Sequence, residues 1–441
     1  MKSVVLSDLA LVVPELILVG MALALILLAR RIRRGPVAVV GTVLAALAAA
    51  LASGWVLPAS PETGFGGMIT QDGYSGFFKI LIAAALALAA LLSVRSVEED
   101  EVPCGEYHAL LLLASTGMML AVSTVDLLTL YLGLELMTLC SYILVGITVE
   151  RPTANEAAIK YLLVASFASA LLLYGISLIY GLTGGTDFAT VASSLSEQSL
   201  AGSPLLVVAI LLVVGGLAFK IAAVPFHSWA PDAYQGASAP VAAFLAAASK
   251  AAGLAALGRV TLVAFGSAAQ LLSLLLAGLA ALSIVVGSIT LVAQTDMKRL
   301  LAYSSIAHAG YALLGLIAGT PAGISATMTY AFFYVFMTLG AFGVVIALGK
   351  RGETMDGYRG LAAQRPVAAA FLLLFLMSLT GLPPTAGFVA KFVVILSAVR
   401  AGHLALAVLA VACSVVSAFV YMRIAVYMFM REPSEAEPSS Y

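Results

Sequence analysis

The run "GGLAFKIAAVPFHSWAPDAYQG" (residues 215–236) sets Lys220 inside an apolar stretch, with Pro225 and His227 close behind it. An ammonium group is costly where water is scarce, about 2.5–3.5 kcal/mol at a bilayer centre on insertion scales. Proline removes a backbone donor and interrupts a helix. The carbonyls so freed must face protein or water if the surroundings are hydrocarbon. The stretch reads as a membrane helix broken beside a charge.

The rest of the chain agrees. Of 441 residues, 62% are hydrophobic and 10% charged, against roughly 25% charged in soluble domains. Apolar runs of about 20 residues, enough to span a bilayer core, recur from end to end and do not alternate with period two as a β-barrel would. The expectation is an all-α polytopic membrane protein. Net charge is zero, with no basic stripe for nucleic acid. Cys104, Cys140 and Cys413 lack metal or iron–sulfur spacing. "GVVIALGKR" (343–351) lacks the Ser/Thr and the spacing of a phosphate loop. The first apolar segment carries Glu15 and ends in arginines, so it reads as a span and not as a cleavable signal.

Apolar length and breakers predict thirteen spans: 9–29, 37–57, 76–94, 107–124, 126–148, 155–182, 204–235, 240–263, 269–293, 299–318, 321–349, 366–397 and 402–430. The seventh and twelfth are too long for one straight helix and contain Pro225 and Pro383–Pro384. Loops after odd-numbered spans hold Arg30, Arg31, Arg33, Arg34, Arg95, Arg151, Lys298, Arg299, Lys350, Arg351, Arg359, Arg365 and Arg431. The other side holds Lys2, Arg259 and Arg400, and the long loop 183–203 has neither Lys nor Arg. The positive-inside rule then puts the N-terminus outside and the C-terminus in the cytoplasm. Alanine-rich usage points to a bacterial cell membrane.

Broken spans at matching places, and the echo of "SYILVGI" (141–147) in "GYALLGL" (310–316), predict an internal repeat. An offset of five helices makes it inverted, with sites expected near mid-membrane. The predicted division is a three-helix segment over 1–106, a first five-helix repeat over 107–263, a second, inverted one over 269–430 and a polar tail over 431–441.

Glu135, Lys220, Lys250 and Lys391 lie mid-span, and His227 and His308 lie at or near the same depth. Burial favours a neutral lysine and a nearby carboxylate favours a charged one. A lysine between those pressures can take up and release a proton, titrating jointly with its partner. Histidine, with an unperturbed pKa of about 6.5, suits intermediate stations. A lone Glu–Lys pair can be purely structural, but Glu135 cannot neutralise three lysines. For His227 and His308 a packing role and a relay role both stand. Glu15, Asp126, Asp232 and Lys79 fall near span ends, where a solvated or snorkelling role is expected. Lys160 and Arg423 lie close to the cytoplasmic face, as snorkelling or uptake groups. Two half-paths are predicted, one around Glu135, Lys220 and Lys250, the other around His308 and Lys391.

"FHSWAPDAYQGASAPVAAFLAAASKAAGLAALGRV" (226–260), "DMKRLLAYSSIAHAGYALLGL" (296–316), "LTGLPPTAGFVAKF" (379–392) and "LLTLYLGLELMTLCSYILVG" (127–146) together resemble subunit N of NADH:quinone oxidoreductase, respiratory complex I. The likeness covers roughly residues 10 to 431. Subunits L and M and multisubunit sodium/proton antiporters share the antiporter-like fold, but the wording here is nearer to subunit N. The resemblance implies that the family's functional glutamate falls on Glu135 and its lysines on Lys220, Lys250 and Lys391. It implies a part in proton pumping driven by quinone reduction elsewhere. No cofactor is expected in this chain; quinone, NADH, FMN and iron–sulfur clusters would belong to partner subunits. The implied partners are other membrane subunits of complex I, including antiporter-like subunit M and small membrane subunits, within a lipid bilayer and without nucleic acid. Family members usually have fourteen helices, and this sequence shows thirteen before "VYMFMREPSEAEPSSY". The competing assignments are a subunit of a multisubunit cation/proton antiporter or of a related membrane-bound hydrogenase.

Overall fold

The computed structural model describes residues 6–29, 35–58, 60–99, 102–197 and 203–433; of residues 6, 7, 35, 98, 99 and 197 it describes the backbone alone. Lys2, the arginines at 30, 31, 33 and 34, and positions 434–441 of the tail lie outside the described residues.

A short α1 (Leu6–Leu11) leads into α2 (Val13–Leu28) and α3 (Gly35–Trp55). An antiparallel hairpin of β1 (Glu62–Gly64) and β2 (Ile69–Gln71) follows, with Thr63 opposite Thr70. Then come α4 (Gly73–Glu99), α5 (Cys104–Ser123), α6 (Leu127–Val145), α7 (Pro152–Thr183) and α8 (Phe188–Glu197). The seventh span is split into α9 (Pro204–Lys220) and α10 (Trp229–Gly236). The eighth comprises α11 (Ala239–Phe244) and α12 (Lys250–Arg259), each followed by a π-helical turn. The rest are α13 (Ala269–Val292), α14 (Met297–Leu316), α15 (Pro321–Leu348), the one-turn α16 (Leu361–Gln364), the split twelfth span α17 (Pro366–Thr380) and α18 (Ala386–Arg400), and α19 (Leu404–Met430).

Among the described residues nine helices are long and apolar enough to cross a bilayer, and Val13–Leu28, Pro204–Lys220 and Pro366–Thr380 are shorter apolar helices. With α14, whose composition is more polar, every predicted span is a helix or a broken pair, including both predicted breaks. Helix starts follow local chemistry. Proline opens α7, α9, α15 and α17, where its missing N–H has no helical partner to lose. Asp126 and Asp296 cap α6 and α14 by accepting from Thr129 N at 2.7 Å and Arg299 N at 2.8 Å.

Small residues set the tightest helix pairs, as expected where lipid gives helices no hydrophobic drive to associate. A Cβ on Gly117 of α5 would lie 2.6 Å from the Gly133 carbonyl of α6, and one on Gly287 of α13 would lie 2.6 Å from the Ala307 N of α14. Residues 240–261 are buried throughout. The eighth span is therefore the axis of the bundle, and the lysine it carries is walled by protein on every side.

Three expectations are corrected. Lys79 and Glu15 are neither solvated nor snorkelling: they form a buried ion pair at 2.8 Å, with side-chain exposures of 0% and 4%, and Lys79 also donates to Leu11 O. The hydrophobic length of α2 and α4 hid the pairing, because each charge alone falls near a span end. Asp126 is likewise buried, serving as the α6 cap and accepting from the Thr186 hydroxyl at 2.5 Å. The stretch 183–203, read as a loop, contains α8, which packs Phe188, Val191 and Leu195 inward. Asp232 does sit at a span end, part-exposed, where it meets Arg299 at 2.6 Å and Lys160 at 3.3 Å. Arg423 donates to Val292 O and Gln294 O, satisfying the end of α13.

Candidate functional site

Lys220 is the last residue of α9. Beyond it Ala222 takes a positive φ of 55° and Pro225 removes a donor, so the helix cannot continue. The backbone groups at the break find partners within the protein. The Trp229 indole donates to Phe219 O at 3.1 Å, and Val224 N donates to the Ser283 hydroxyl at 2.9 Å. Trp229 is itself fixed by stacking on Tyr161 at 4.4 Å between ring centroids.

The Lys220 ammonium lies 3.3 Å from Glu135 Oε1 and donates to Thr138 Oγ1 at 2.5 Å, both on α6. Ser169 of α7 donates to the same Glu135 oxygen. Two donors therefore compete for one acceptor, and Glu135 can favour either. The lysine side chain is 1% exposed and the glutamate side chain 20%, so the carboxylate is the less enclosed member of the pair.

Lys250 opens α12 immediately after the π turn Leu245–Ser249, a distortion frequent at functional positions. Its ammonium donates to Ser305 of α14 at 2.7 Å. The helix that carries it backs onto the seventh-span break: a Cβ on Gly253 would lie 2.8 Å from the Ile221 side chain and 3.4 Å from Lys220 Cβ. One turn along α14 from Ser305, His308 Nδ1 is 2.6 Å from the Tyr330 hydroxyl, with the Tyr334 ring centroid 5.3 Å away. On the next turn, the Tyr311 ring centroid is 4.4 Å from the Lys391 ammonium.

Lys391 reaches back from α18 to the break in the twelfth span. It donates to Thr380 O at 2.8 Å, a carbonyl at the end of α17, and to the Ser414 hydroxyl at 2.7 Å. Gly381 ends α17 with φ 84°, and a Cβ there would lie 2.8 Å from the Lys391 stem. Glycine turns the chain and leaves the lysine its room.

Five of the six sequence-predicted residues thus lie on packed neighbouring helices: Lys220 pairs with Glu135, and Lys250, His308 and Lys391 meet successive turns of α14. The structure groups them differently from the expected two halves. The Lys250 side chain bonds to α14, on the His308 side, while its helix leans on Lys220, so it bridges the two groups. His227 stands apart, part-exposed, with Nδ1 3.3 Å from Pro225 O. Among the described contacts it bonds to none of the other five. Sequence reasoning missed the hydroxyls of Thr138, Ser169, Ser305, Tyr330 and Ser414, which no local signal marks. It also passed over His108 of α5, fully buried, whose ring nitrogens have no hydrogen-bond partner among the described residues. An ionisable side chain at the head of the apolar run "HALLLLAS" was signal enough. No three His, Cys, Asp or Glu side chains gather as metal ligands would among the described residues.

Residues 124–417 match the family described as NADH:quinone oxidoreductase/Mrp antiporter, TM. Over 394 residues the chain is 48% identical to NADH-quinone oxidoreductase subunit N of Desulfovibrio desulfuricans, across 86% of this chain and 78% of that one. The chain belongs to the NADH-quinone oxidoreductase subunit N family. Its fold recurs in the structure of respiratory complex I from Thermus thermophilus with bound aureothin, where one subunit matches at a TM-score of 0.79 and 35% identity, over 96% of this chain and 91% of that one. The wider antiporter-like architecture around the subunit N family extends to the Mrp complex from Dietzia sp. DQ12-45-1b, at a TM-score of 0.85 and 26% identity, over 97% of this chain and 81% of that one.

Proposed function

We infer that this chain is the proton-translocating, antiporter-like subunit of a membrane NADH:quinone oxidoreductase, relaying protons along Glu135, Lys220, Lys250, His308 and Lys391 while quinone is reduced in other subunits. The observation that carries the reading is the band of ionisable and hydroxyl side chains running from the Glu135–Lys220 pair, past the Gly253 contact, to Lys250–Ser305, His308–Tyr330 and Lys391. Several ionisable groups at membrane depth are costly to keep unless used. His227, at the edge of the break, is a second-rank member of the path.

Each residue has a distinct task. Glu135, shared between Lys220 and Ser169, switches the countercharge toward or away from the lysine. Lys250 passes the change across the bundle axis, because its helix touches the Lys220 break and its ammonium touches α14. His308 and Tyr330 exchange a proton without creating net charge outside their bond. Lys391 holds the last proton among neutral oxygens. NADH, FMN, iron–sulfur clusters and quinone belong in this reading to partner subunits.

The five-helix inverted repeat is part of the proposal. It is supported by the matching breaks of the seventh and twelfth spans and by the matching glycine contacts of α5 with α6 and α13 with α14. The domain limits 107–263 and 269–430 go with it. The sequence echo sets Ser304 opposite Glu135, so the second repeat has a hydroxyl where the first has its carboxylate. The charge asymmetry of the loops supports a multi-pass protein of the bacterial inner membrane with its N-terminus outside and C-terminus in the cytoplasm. Subunit M and small membrane subunits are the expected neighbours.

The likeness to the Mrp complex favours a second reading, cation/proton exchange in an antiporter assembly. A sodium site calls for several oxygen ligands, and Glu135 is one carboxylate already shared by two donors. Protons are favoured. Quinone-dependent proton pumping in membrane vesicles, with the complex verified as assembled, tests the reading. Lys220→Ala and Glu135→Ala are expected to lose pumping and to slow electron transfer with it. Normal pumping and turnover in both variants would make the buried charges packing devices.

A further inference from the structure

Lys250 is the least satisfied of the buried lysines. It is 1% exposed, and an ammonium carries three donors. Among the described residues it spends one of them, on the Ser305 hydroxyl at 2.7 Å. Lys220 has Glu135 and Thr138, and Lys391 has a carbonyl and a hydroxyl. A charge so enclosed is costly unless its donors are met.

Two oxygens close by are unspent in the same way. The hydroxyls of Tyr234 and Tyr334 are buried and have no hydrogen-bond partner among the described residues. Both face Ser305, Tyr234 from α10 and Tyr334 from α15, where Thr338 is its other neighbour. Aromatic packing fixes the rings and leaves the hydroxyl ends without a bond. Tyr234 lies edge-on to Trp229 at 6.2 Å and to Phe342 at 6.5 Å between centroids. Tyr334 stacks on Tyr330 at 6.5 Å and lies 5.3 Å from the His308 ring. Ser305 itself donates to Ala302 O at 2.7 Å, so its oxygen is left to accept.

Unspent donors on the lysine thus stand beside unspent acceptors on the tyrosines, with Ser305 between them. The lysine stem is flexible and its donors rotate, so a small swing past Ser305 brings them together. We propose that Tyr234 and Tyr334 are positioning residues of the relay: their hydroxyl oxygens, with that of Ser305, cage the Lys250 ammonium and let it hold a proton at the bundle axis without a carboxylate. The proposal rests on Lys250 being a relay station. It also gives the broken seventh span a hold on that station. Tyr234 belongs to the short helix beyond the Lys220 break, so a shift of α10 changes the number of oxygens around Lys250.

The test is a cycle on the intact complex. Tyr234→Phe, Tyr334→Phe and both together are made with Lys250 present and again with Lys250→Met. Thermal unfolding and vesicle pumping per assembled complex are the two readouts. With Lys250 present, the paired Phe substitutions are expected to lower the unfolding midpoint and to cut pumping at least about tenfold, the value of a hydrogen bond to a charged group. With Lys250→Met there is no cation to solvate, and the same substitutions are expected to leave the midpoint unchanged or raise it. Packing alone would not produce that dependence on Lys250. An equal midpoint shift in both backgrounds, or wild-type pumping in the paired variant, overturns the proposal. Normal pumping by Lys250→Met alone would instead take Lys250 out of the relay, and the proposal with it, while the unfolding cycle still reports whether the tyrosines cage the lysine.

Discussion

At the break after α9, Lys220 meets a carboxylate 3.3 Å away; at the break after α17, Lys391 meets a carbonyl at 2.8 Å and a hydroxyl at 2.7 Å. Among the described residues no carboxylate forms an ion pair with Lys391. The two spans use the same device, a helix interrupted so that side chain and backbone meet, but they stabilise the ammonium differently. Neutral oxygens solvate a cation without tying it to a countercharge. A proton can leave Lys391 without stranding a buried anion, whereas every change of charge at Lys220 is felt by Glu135. In the proposed relay the seventh span would then serve coupling, and the twelfth release.

The sharpest way to break that contrast is to remove each lysine in turn. Lys220→Met leaves Glu135 largely buried and uncompensated, which should cost about 3 kcal/mol of stability. Lys391→Met leaves only neutral oxygens and should cost far less. Both should abolish pumping. Adding Glu135→Gln to Lys220→Met should restore stability while pumping stays lost. Thermal unfolding of the purified complex, read beside vesicle pumping, decides the matter: equal destabilisation by the two single variants would show that the spans do not differ in this way.

Installing the missing countercharge is the reciprocal experiment. Ser414→Asp puts a carboxylate beside Lys391 and gives the twelfth span the chemistry of the seventh. Pumping should fall about tenfold or more, the ion pair holding the proton by an added 1.4 kcal/mol or so, with assembly intact. Undiminished pumping would remove release from the role given to Lys391.

The seventh span was legible because three signals coincide in "AFKIAAVPFH": a lysine, a proline and a histidine within an apolar run. Glu135 and Lys391 were legible for the same reason, as charges far from any predicted end. What the sequence could not show is which groups meet. Lys79 and Glu15 look like two unrelated end-of-span charges until α2 and α4 pack and bring them to 2.8 Å. The π turns flanking α12 have no residue signature, being alanine- and valine-rich like the rest of that span. The hydroxyl partners depend on rotation and depth of one helix against another, to which a pattern of apolar residues is blind. His108 is the one omission the residues themselves could have prevented.

A smaller effect is expected between the two breaks, at His308. Tyr330→Phe removes its hydrogen-bond partner at 2.6 Å and leaves a buried ring nitrogen unsatisfied, at about 1–3 kcal/mol. If His308 carries protons between Lys250 and Lys391, pumping should slow several-fold in vesicles whose complex content is unchanged. If pumping per assembled complex equals wild type, His308 is a packing residue and the band is interrupted there.

The least effect on pumping should come from a buried pair that has the same chemistry but lies off the path. Arg259, at the end of α12, holds Asp72 with two bonds of 2.8 and 2.9 Å and lies 4.8 Å from the Tyr74 ring centroid. Burial by itself raises the Asp72 carboxyl, but the Arg259 guanidinium and the bonds from Ser75 outweigh it and hold the group below the usual carboxylate range. A carboxyl so lowered adds stability above its ordinary pKa of about 3.9 and loses that contribution as pH falls through the lower folded value. Asp72→Asn should therefore destabilise the complex at neutral pH by about 2 kcal/mol, less than the full cost of breaking a wholly buried pair because Asp72 keeps some solvent. The gap from wild type should narrow only in strong acid, and pumping at neutral pH should be unchanged once assembly is equalised. Loss of pumping in Asp72→Asn would carry the relay out to the end of the eighth span and dissolve the distinction between paired charges that couple and paired charges that only anchor.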